Sequence, residues 1–371
     1  MFSKKAGLIR IPFRAMLIEL VISIREAAMA ARDISFASFN LYNLQSPGAA
    51  MYSGSTWSEE EYAAKIFYTG AVLKRLSADV VGFQELWAEE ALQEAMQMAG
   101  LDATHQALVP PGHPGTRIVC AGLVRKDILV DDPEWITEFP DEMVLASGGD
   151  DPQQDRIAVA LTSFSRPVLH LTVQPHPDTP VIHVFVCHFK SRRPTELWRE
   201  EWYERDTHKD HLTALGYAVS TIRRTAEATA LRMIITNLTK GTNTPVVVIG
   251  DMNDSKLSNT LNILTEQPQY LTGLSEGGGD NALYTAQTLQ EYRSTRDVYY
   301  THVYKKERES LDHILFSQEF YDHSKRRLWA FDEMTVDNDH LNLDDHKATG
   351  TNDHGIIRAG FKWKPATGAV V

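Results

Sequence analysis

Short apolar segments of this chain end in side chains that can hold a cation or move a proton. Asp251 and Asn253 follow one run of apolar residues, and Gln84 and Glu85 follow another. Burial of such a carboxylate without a partner is unfavourable, so each of them needs water or a cation. Because Gly, Asp and Asn are also the residues that turns prefer, an ordinary turn is the alternative interpretation of the first pair.

Three further segments show the same design. His188 ends an apolar segment, Asp312 lies inside one, and the dipeptide Asp353-His354 precedes the last one. A surface turn or a solvated side chain would explain each of these residues singly. Their shared position at the edges of apolar segments indicates that they line one end of a sheet protein, because sites are typically built from loops and strand ends on a rigid scaffold.

The candidate residues together point to a metal-assisted reaction. They comprise four carboxylates, two amides and two imidazoles: Glu85, Asp251, Asp312, Asp353, Asn40, Asn253, His188 and His354. Carboxylates that converged unpaired would repel one another until they took up protons. A hard divalent cation removes this conflict, and oxygen ligands without cysteine favour Mg²⁺ or Mn²⁺ over zinc. We therefore expect a hydrolase that activates water against a phosphate ester.

Segments rich in β-branched and aromatic residues alternate with segments of helical period, which indicates an α/β protein. Strands are predicted at Ile34–Asn40, Val80–Gln84, Arg117–Arg125, Ile157–Thr162, Val168–Gln174, Val181–His188, Val246–Gly250 and Leu311–Ser317. The sequence contains no internal repeat and no long linker, so one domain is expected over residues 33–364. An N-terminal extension covers 1–32 and a C-terminal tail covers 365–371.

Two helices carry clear signals. Ser58 followed by Glu61 is a capping-box pattern, and an apolar face repeats after it at helical spacing. A second helix is predicted from about Asp210 to Leu238. One face of it is expected to pack on a sheet through Leu212, Leu215, Val219, Ile222, Ala226, Met233 and Leu238. The solvated face is expected to carry Arg223, Arg224 and Glu227.

The composition limits the partners. The chain has 37 Lys and Arg against 49 Asp and Glu, a net charge of −12, so the whole molecule repels a polyanion. Any contact with nucleic acid must therefore use a local basic patch or a bound metal. The two cysteines, Cys120 and Cys187, lie in apolar runs, which argues against a disulfide framework.

The first part of the chain matches a secretory signal only in part. A basic stretch precedes an apolar one at 15–24, but Glu19 interrupts it, and the run is too short to span a bilayer. Translation from Met29 is an alternative interpretation. A cytoplasmic location is therefore expected, with a secreted or periplasmic one as the alternative, and the oligomeric state is left open.

The order of the motifs resembles the endonuclease/exonuclease/phosphatase superfamily, which includes pancreatic deoxyribonuclease, apurinic-site endonucleases, sphingomyelinases and inositol-phosphate 5-phosphatases. The resemblance runs from Ser35 to about Phe361. Its five signatures are Phe39-Asn40, Gln84-Glu85, His188, Gly250-Asp251-Met252-Asn253 with Leu311-Asp312-His313, and Asp353-His354. The resemblance implies a four-layered α/β/β/α sandwich of two mixed β-sheets flanked by helices, with the site at one end.

The same resemblance implies roles for the candidates. The implied metal ligands are Glu85, the main one, with Asn40 and Asp353 close to the ion; Mg²⁺ is the expected cofactor and Mn²⁺ the alternative. Asp251 would position or deprotonate the attacking water, with Asn253 beside it. His188 and His354 would donate hydrogen bonds to phosphoryl oxygens, and Asp312 would orient His354. Fixed donors and a cation of this kind stabilise the negative charge that accumulates on a phosphoryl group.

The resemblance is strongest to bacterial nuclease-like members, in which a lysine follows the first histidine. Lys190 and Arg192 are therefore predicted to contact substrate phosphates, and a snorkelling lysine is the alternative for Lys190. Deoxyribonuclease-like members support that histidine with a carboxylate, for which the segment 116–125 offers no equivalent. Four other residues could line the cleft, or equally well be an exposed hairpin residue or a satisfied aromatic: Arg156, Arg166, Tyr300 and His302. His340 and His346 lie in a polar loop, where a histidine is expected to be solvated and not a ligand.

Nucleic acid is the expected substrate, cleaved at phosphodiester bonds as by an endonuclease. A small phosphomonoester or a phospholipid of the sphingomyelinase type is the alternative. Trp198, Trp202 and Tyr203 would suit a lipid surface, although the glutamates interleaved with them disfavour an anionic one. An inactive binding scaffold is a hypothesis from a different class, and the intact Glu85 and Asp251 argue against it.

Overall fold

Two six-stranded sheets form the centre of the protein. The computed structural model describes residues 31–148, 155–270, 279–294, 299–343 and 345–369. The strands are β1 (Ile34–Leu44), β2 (Val80–Leu86), β3 (His105–Leu108), β4 (Val119–Arg125), β5 (Glu134–Glu138), β6 (Leu145–Ser147), β7 (Ile157–Val159), β8 (Ser163–Val173), β9 (Ile182–His188), β10 (Val246–Asp251), β11 (Tyr284–Thr285), β12 (His302–Tyr304), β13 (Glu307–Glu309), β14 (Asp312–Phe316), β15 (Trp329–Asp337) and β16 (Ile356–Trp363).

Helices connect and flank the strands. They are α1 (Glu59–Leu76), α2 (Glu89–Ala99), α3 (Arg205–His208), α4 (Leu212–Thr239), α5 (Asn259–Thr265), α6 (Ala286–Arg293) and α7 (His346–Thr349). The capping box predicted for the first helix is confirmed, because the Ser58 side chain accepts from the Glu61 amide and the Glu61 carboxylate accepts from the Ser58 amide. In the part of the chain that the structure describes, no helix is both long and apolar enough to cross a membrane.

Both sheets are mixed, and each contains one parallel pair. The first has the order β15-β16-β1-β2-β4-β3 and the second the order β11-β14-β10-β9-β8-β5. β1 pairs in parallel with β2, which places Asn40 opposite Gln84, and β9 pairs in parallel with β10, which places His188 opposite Asp251. Parallel neighbours end at the same edge of a sheet, so both sheets deliver polar residues to one end.

The sheets pack face to face over a shared core. Gly82 of the first sheet shows how closely they approach, because a Cβ atom there would lie 2.8 Å from the Val186 side chain of the second. Helices α1 and α2 cover the outer face of the first sheet, and α4 and α5 cover that of the second. The expected four-layered sandwich of two mixed sheets is therefore confirmed.

The predicted strands are all present, with ends that differ by a few residues. The long helix lies where it was expected, and Ala226 and Leu238 contact the core as predicted, but the orientation of its first half was predicted wrongly. Leu215, Val219 and Ile222 are exposed, whereas Arg224 and Glu227 are buried. Contacts with Ser165, Lys190 and Asp254 bury these two charged residues, so this face of the helix lies against the protein. Residues 1–30, including the segment that was compared with a secretory signal, lie outside the described residues.

Candidate active site

Strand pairing is irregular where β1 and β2 of the first sheet end, and this irregularity sets the direction of the Glu85 side chain. The pairing of β1 with β2 shifts register between Asn40 and Leu44, and that of β2 with β4 shifts between Phe83 and Leu86. Glu85 lies within the second shift with a φ of 61°, in the left-handed region. Bulges of this kind turn a side chain away from the alternation of the strand. The carboxylate of Glu85 accepts a hydrogen bond from the Asn43 amide at 3.1 Å.

The second sheet aligns three further candidates across adjacent strands. Asp251, the last residue of β10, lies opposite His188 on one side and opposite Asp312 on the other. Gly250 precedes it with a φ of 152°, and a Cβ atom there would lie 2.0 Å from the Cys187 carbonyl oxygen. Gly250 is therefore required by the close approach of β9, and Asp251 occupies the last paired position of the ladder.

Asp251 lies at the meeting point of the two sheets. Its Oδ2 atom accepts from the Asn40 amide at 3.3 Å and lies 3.5 Å from His188 Nε2 and 3.9 Å from His354 Nε2. Its Oδ1 atom accepts from the backbone amide of Asn253 at 2.9 Å, and the Asn253 side chain is fixed on a backbone carbonyl of the adjacent strand end. The carboxylate is 1% exposed. One buried oxygen therefore faces two imidazoles and an amide.

His354 is held from behind by Asp312. Its Nδ1 atom donates to Asp312 Oδ2 at 2.8 Å, and this contact leaves Nε2 directed toward Asp251. The backbone amide of Asp312 in turn donates to the hydroxyl of Thr301, which precedes β12. The ring of His302, the next residue, lies 5.2 Å from that of His354, centroid to centroid, at a tilt of 48°. The β12–β13 hairpin thus supports this imidazole from one side.

Burial and neighbouring charges set different protonation states for the three central groups. Burial, together with the negative charge of Asp312, raises the pKa of Asp251 to about 7 despite the attraction of His354. Burial, with Arg166 and His354 nearby, lowers the pKa of His188 well below its ordinary value. Burial alone would lower the pKa of His354, but the carboxylates of Asp312 and Asp251 outweigh it and hold that pKa well above the ordinary value.

Glu85, Asn40 and Asp353 form an oxygen-rich set that fits a hard cation. Burial and the negative charge of Asp353 raise the pKa of Glu85 above its ordinary value. The Oδ1 atom of Asp353 is buried and has no hydrogen-bond partner. Two carboxylates that repel each other, one with an orphaned oxygen, are satisfied by a divalent ion bound to oxygen atoms. A second group, Asp251, Asp312 and His354, offers three atoms within 4.8 Å of one another.

The two residues predicted to contact substrate phosphates, Lys190 and Arg192, have different surroundings. Arg192 forms an ion pair with Glu309, so its charge is already matched. Lys190 lies near Arg166 and Arg223, and burial beside these cations lowers its pKa. Its backbone amide donates to Glu227 at 2.7 Å. Among the described residues, no carboxylate is in direct contact with the Lys190 side chain, whereas Glu309 of β13 holds Arg192.

Arg166 is a residue that sequence reasoning undervalued. Its guanidinium donates to the Phe189 carbonyl at 3.3 Å and also reaches the hydroxyl of Tyr52, and its charge acts on Glu85 and His188. It lies on β8 in an ordinary alternating segment, and nothing in that pattern distinguished it from an exposed arginine. His340, by contrast, bonds the His354 carbonyl from behind, and His346 bonds the Thr351 hydroxyl.

Among the described residues, no carboxylate supports His188 from behind, and the segment 116–125 offered no candidate for one in the sequence. Its Nδ1 atom is buried without a hydrogen-bond partner. Its orientation is instead set by its place in β9 and by the approach of its Nε2 atom to Asp251.

The fold and these contacts define a class: a two-sheet α/β sandwich whose acidic and imidazole groups converge at one end for the hydrolysis of phosphoesters. The sequence model of the endonuclease/exonuclease/phosphatase family matches residues 37–350, and the chain belongs to this family. Its members are hydrolases of phosphoester bonds and generally depend on a divalent metal. No curated protein sequence matches the chain.

Solved structures share the fold at low sequence identity. An endonuclease/exonuclease/phosphatase protein from Bacteroides vulgatus is 14% identical with a TM-score of 0.50, over 90% of this chain and 99% of that one. The human Nocturnin catalytic domain, solved with bound sulfate, is 14% identical with a TM-score of 0.51, over 90% and 95% of the two chains. At these identities the likeness concerns the fold alone.

Proposed function

We propose that the protein is a Mg²⁺-dependent phosphodiesterase that cleaves nucleic acid internally, as an endonuclease does. The observation that carries the proposal is the environment of Asp251, a buried carboxylate within 3.9 Å of two imidazoles and within hydrogen-bond reach of Asn40. Carboxylate, amide and imidazole groups in this arrangement suit the attack of water on a phosphodiester.

Asp251 is proposed to act as the general base. Its pKa of about 7 matches a group that takes up a proton near neutral pH, which is where a base is most effective. The water proton passes to Asp251, the water oxygen forms a bond to phosphorus, and the bond from phosphorus to the leaving oxygen breaks. The amide of Asn253 holds the other carboxylate oxygen, so the accepting one keeps its direction.

Three cationic or polar side chains are proposed to bind the phosphoryl oxygens. His354 is protonated through Asp312 and Asp251, so its Nε2 atom is a charged donor. His188 stays neutral because of its burial and supplies a second donor. Arg166 adds a fixed positive charge from β8 on the side of Glu85. Donors placed in advance around a developing charge stabilise the transition state more than the ground state.

Mg²⁺ is proposed to bind to Glu85, Asn40 and Asp353, with Mn²⁺ as a substitute. When bound, the ion would polarise the phosphoryl group and neutralise charge on it. The group of Asp251, Asp312 and His354 is less suited to the ion, because Asp312 and His354 already satisfy each other at 2.8 Å. We therefore place the ion with the carboxylate pair that has no such partner.

Local positive charge supports a nucleic-acid substrate. Lys190, Arg166 and Arg223 lie near one another on the side of the second sheet, in a molecule whose net charge is −12. A polyanion would be attracted to this region and repelled elsewhere. The mouth of the site is thus the part of the described surface that we expect phosphates to approach.

A substrate panel with and without Mg²⁺ tests the proposal. It comprises plasmid DNA, single-stranded DNA, RNA, sphingomyelin, bis-(p-nitrophenyl) phosphate and p-nitrophenyl phosphate. We expect cleavage of the nucleic acids and of the diester, lost with chelator and in Glu85→Gln. The matched control is Glu89→Gln, an exposed glutamate at the start of α2, which should retain full activity. Preference for the monoester would instead identify a phosphatase.

A phospholipid diester is a second candidate, favoured by exposed apolar residues in the segment between β9 and β10. Trp198 and Trp202 are 53% and 49% exposed, and Val219 and Ile222 add an apolar stripe on the first turns of α4. The test is hydrolysis of sphingomyelin in zwitterionic vesicles. A lipid enzyme should bind them and lose binding in Ile222→Glu, whereas a nuclease should show neither effect.

A further inference from the structure

Lys65 on α1 is a buried cation that the proposed reaction does not use. Its side chain is fully buried, and its Nζ atom lies 5.4 Å and 5.8 Å from the ring centroids of Tyr42 and Trp57. Lysine is almost never buried completely unless it is paired. Burial lowers the pKa of Lys65 to about 7, although the charges of Asp353 and Glu85 oppose this. Burial of an ammonium group is unfavourable in itself, so the contacts of Lys65 must replace the lost hydration.

The contacts of Lys65 lead directly to the predicted metal ligands. Its Nζ atom donates to the side-chain oxygen of Asn352 and lies 3.4 Å from the Thr351 carbonyl oxygen. The Asn352 amide donates in turn to the Asn40 carbonyl at 2.5 Å. Asn352 directly precedes Asp353. One short chain of hydrogen bonds therefore joins α1 to both the segment that carries Asp353 and the strand that carries Asn40.

The segment that carries Asp353 already lies against α1. Gly350, with a φ of 69°, packs so closely that a Cβ atom there would lie 2.4 Å from the carbonyl carbon of Ala64. Lys347 forms an ion pair with Glu61 at 3.3 Å on the same side. These contacts fix the start of the segment. Lys65 fixes its end, because Thr351 and Asn352 are the last residues before Asp353.

The positive charge of Lys65, like its hydrogen bonds, favours the observed positions of the metal-ligand candidates. Glu85 and Asp353 repel each other, and both carboxylates raise the pKa of Lys65, so they attract its ammonium group. An attraction of this kind is strong where water is excluded. The ammonium therefore favours the arrangement in which both carboxylates face the same space.

We propose that Lys65 is a positioning residue of the metal centre, holding Asp353 and Asn40 at the spacing that the cation requires. This inference rests on the proposed function, because it assumes that the ion binds with Glu85, Asn40 and Asp353. Lys65 does not touch the ion or the substrate. It acts through Asn352, and its removal should disturb metal binding before it disturbs any other step.

The test is calorimetric titration of Mn²⁺ into the full-length protein and into Lys65→Met. Methionine has a similar length and volume, so it preserves packing and removes the charge and the donors. We expect the affinity for Mn²⁺ to fall at least about tenfold, a loss that saturating metal partly restores in the rate of diester hydrolysis. Removal of a nearby positive charge would by itself strengthen the binding of a cation, so a weakening reports lost positioning. Lys74→Met, at an exposed lysine of the same helix, is the matched control and should bind as the wild type does.

Melting temperatures in chelator and in saturating Mg²⁺ separate positioning from general stability. A positioning role predicts that Lys65→Met reduces the increase in melting temperature that metal produces. An equal decrease in both conditions with unchanged affinity would overturn the inference, as would tighter binding. Asn352→Leu breaks the same chain while Lys65 remains, so it provides the test if Lys65→Met does not fold; wild-type affinity in Asn352→Leu would also overturn the inference. Absence of metal binding in the wild type would instead contradict the proposed metal centre itself.

Discussion

Individual residues at the site adopt backbone conformations that their side chains disfavour. Tyr42, Asn43, Glu85 and Asn253 all have positive φ values, of 49°, 55°, 61° and 52°. Such conformations cost on the order of 1 kcal/mol each and persist where surrounding contacts determine them. These four residues follow or end the strands that deliver Asn40, Glu85 and Asp251. Four of the nine non-glycine residues with positive φ in the described part of the chain therefore lie where it turns polar groups toward the site.

Asp312→Asn should separate orientation of His354 from metal binding. The substitution retains size but removes the charge that holds the imidazole protonated and directed. We expect kcat to fall by roughly a hundredfold or more, as for the loss of one positioned acid–base group, while affinity for Mn²⁺ changes little. Steady-state kinetics on a soluble diester and calorimetry measure the two effects. Asp339→Asn, at an exposed aspartate, is the control; loss of metal binding in Asp312→Asn would show that Asp312 is a ligand instead.

Glu319 should make stability depend on pH far from the site. Its carboxylate is buried, the Ser317 hydroxyl donates to it at 2.6 Å, and burial raises its pKa to about 7. The folded state therefore holds this proton more tightly than the unfolded chain, so the stabilising contribution is complete below pH 4.5 and is lost as pH rises to about 7. Glu319→Gln should be more stable than the wild type at pH 8 by roughly 1 to 3 kcal/mol, with no gain at pH 4. Urea unfolding at the two pH values measures this, and an equal shift at both would refute it.

The chemical identity of the site residues could be predicted from the sequence, but the residues that act on them from other parts of the chain could not. Four site residues are conspicuous because each lies at the edge of an apolar segment: Asn40, Glu85, Asp251 and His354. Arg166 and Lys65 have no such mark, since Arg166 lies in an ordinary strand and Lys65 in an ordinary amphipathic helix. Their importance arises from contacts with residues more than twenty positions away, and a pattern along the chain does not encode these.

At the level of elements, α4 anchors three strand ends of the second sheet. Glu227 accepts from the backbone amides of Ser165 and Lys190, and Arg224 contacts Asp254 at 3.2 Å and the Lys190 carbonyl at 3.4 Å. These contacts hold the start of β8 and the residues that follow β9 and β10. One helix thereby fixes the spacing of Arg166, His188 and Asp251, which lie next to the anchored positions.

Glu227→Gln should weaken both the fold and the reaction. The amide retains one acceptor oxygen but presents a donor to groups that are themselves donors, which leaves a buried amide unsatisfied. We expect a loss of about 2 to 3 kcal/mol of unfolding free energy and a lower kcat at unchanged metal affinity. Urea denaturation and kinetics check the two effects. Glu200→Gln, on the exposed loop before α3, should change neither, and an unaffected Glu227→Gln would show that α4 does not position the site.

Helical periodicity predicted the extent of α4 correctly and the orientation of its first half wrongly. The stripe of Leu215, Val219 and Ile222 satisfies the spacing of a core face, yet the face that contacts the protein carries Gly216 and Ser220. Gly216 is needed there because a Cβ atom would lie 2.5 Å from the Thr195 carbonyl oxygen. Periodicity identifies an apolar side of a helix, but it does not show whether a sheet extends beneath that side. The positions of the strands, by contrast, followed from runs of β-branched and aromatic residues bounded by turn residues.

For the molecule as a whole, the net charge of −12 predicts how binding responds to salt. If substrate phosphates are bound mainly by Arg166 and Lys190, few counterions are released, and affinity for plasmid DNA should fall by only roughly tenfold between 50 and 200 mM KCl at fixed Mg²⁺. A protein that contacts six to ten phosphates would lose about a thousandfold or more. Competition assays across this range measure the slope. A steep slope would mean that an extended basic track binds the substrate.

The parallel pairing of β9 with β10 obliges the chain to cross the outside of the sandwich between them, over residues 189–245. This excursion carries Lys190, the exposed tryptophans and the helix whose Arg224 and Glu227 hold the strand ends. Exchange of residues 194–211 for the corresponding segment of a relative replaces the tryptophans and leaves those three anchoring residues in place, so it should change what the outer surface contacts and preserve the catalytic geometry.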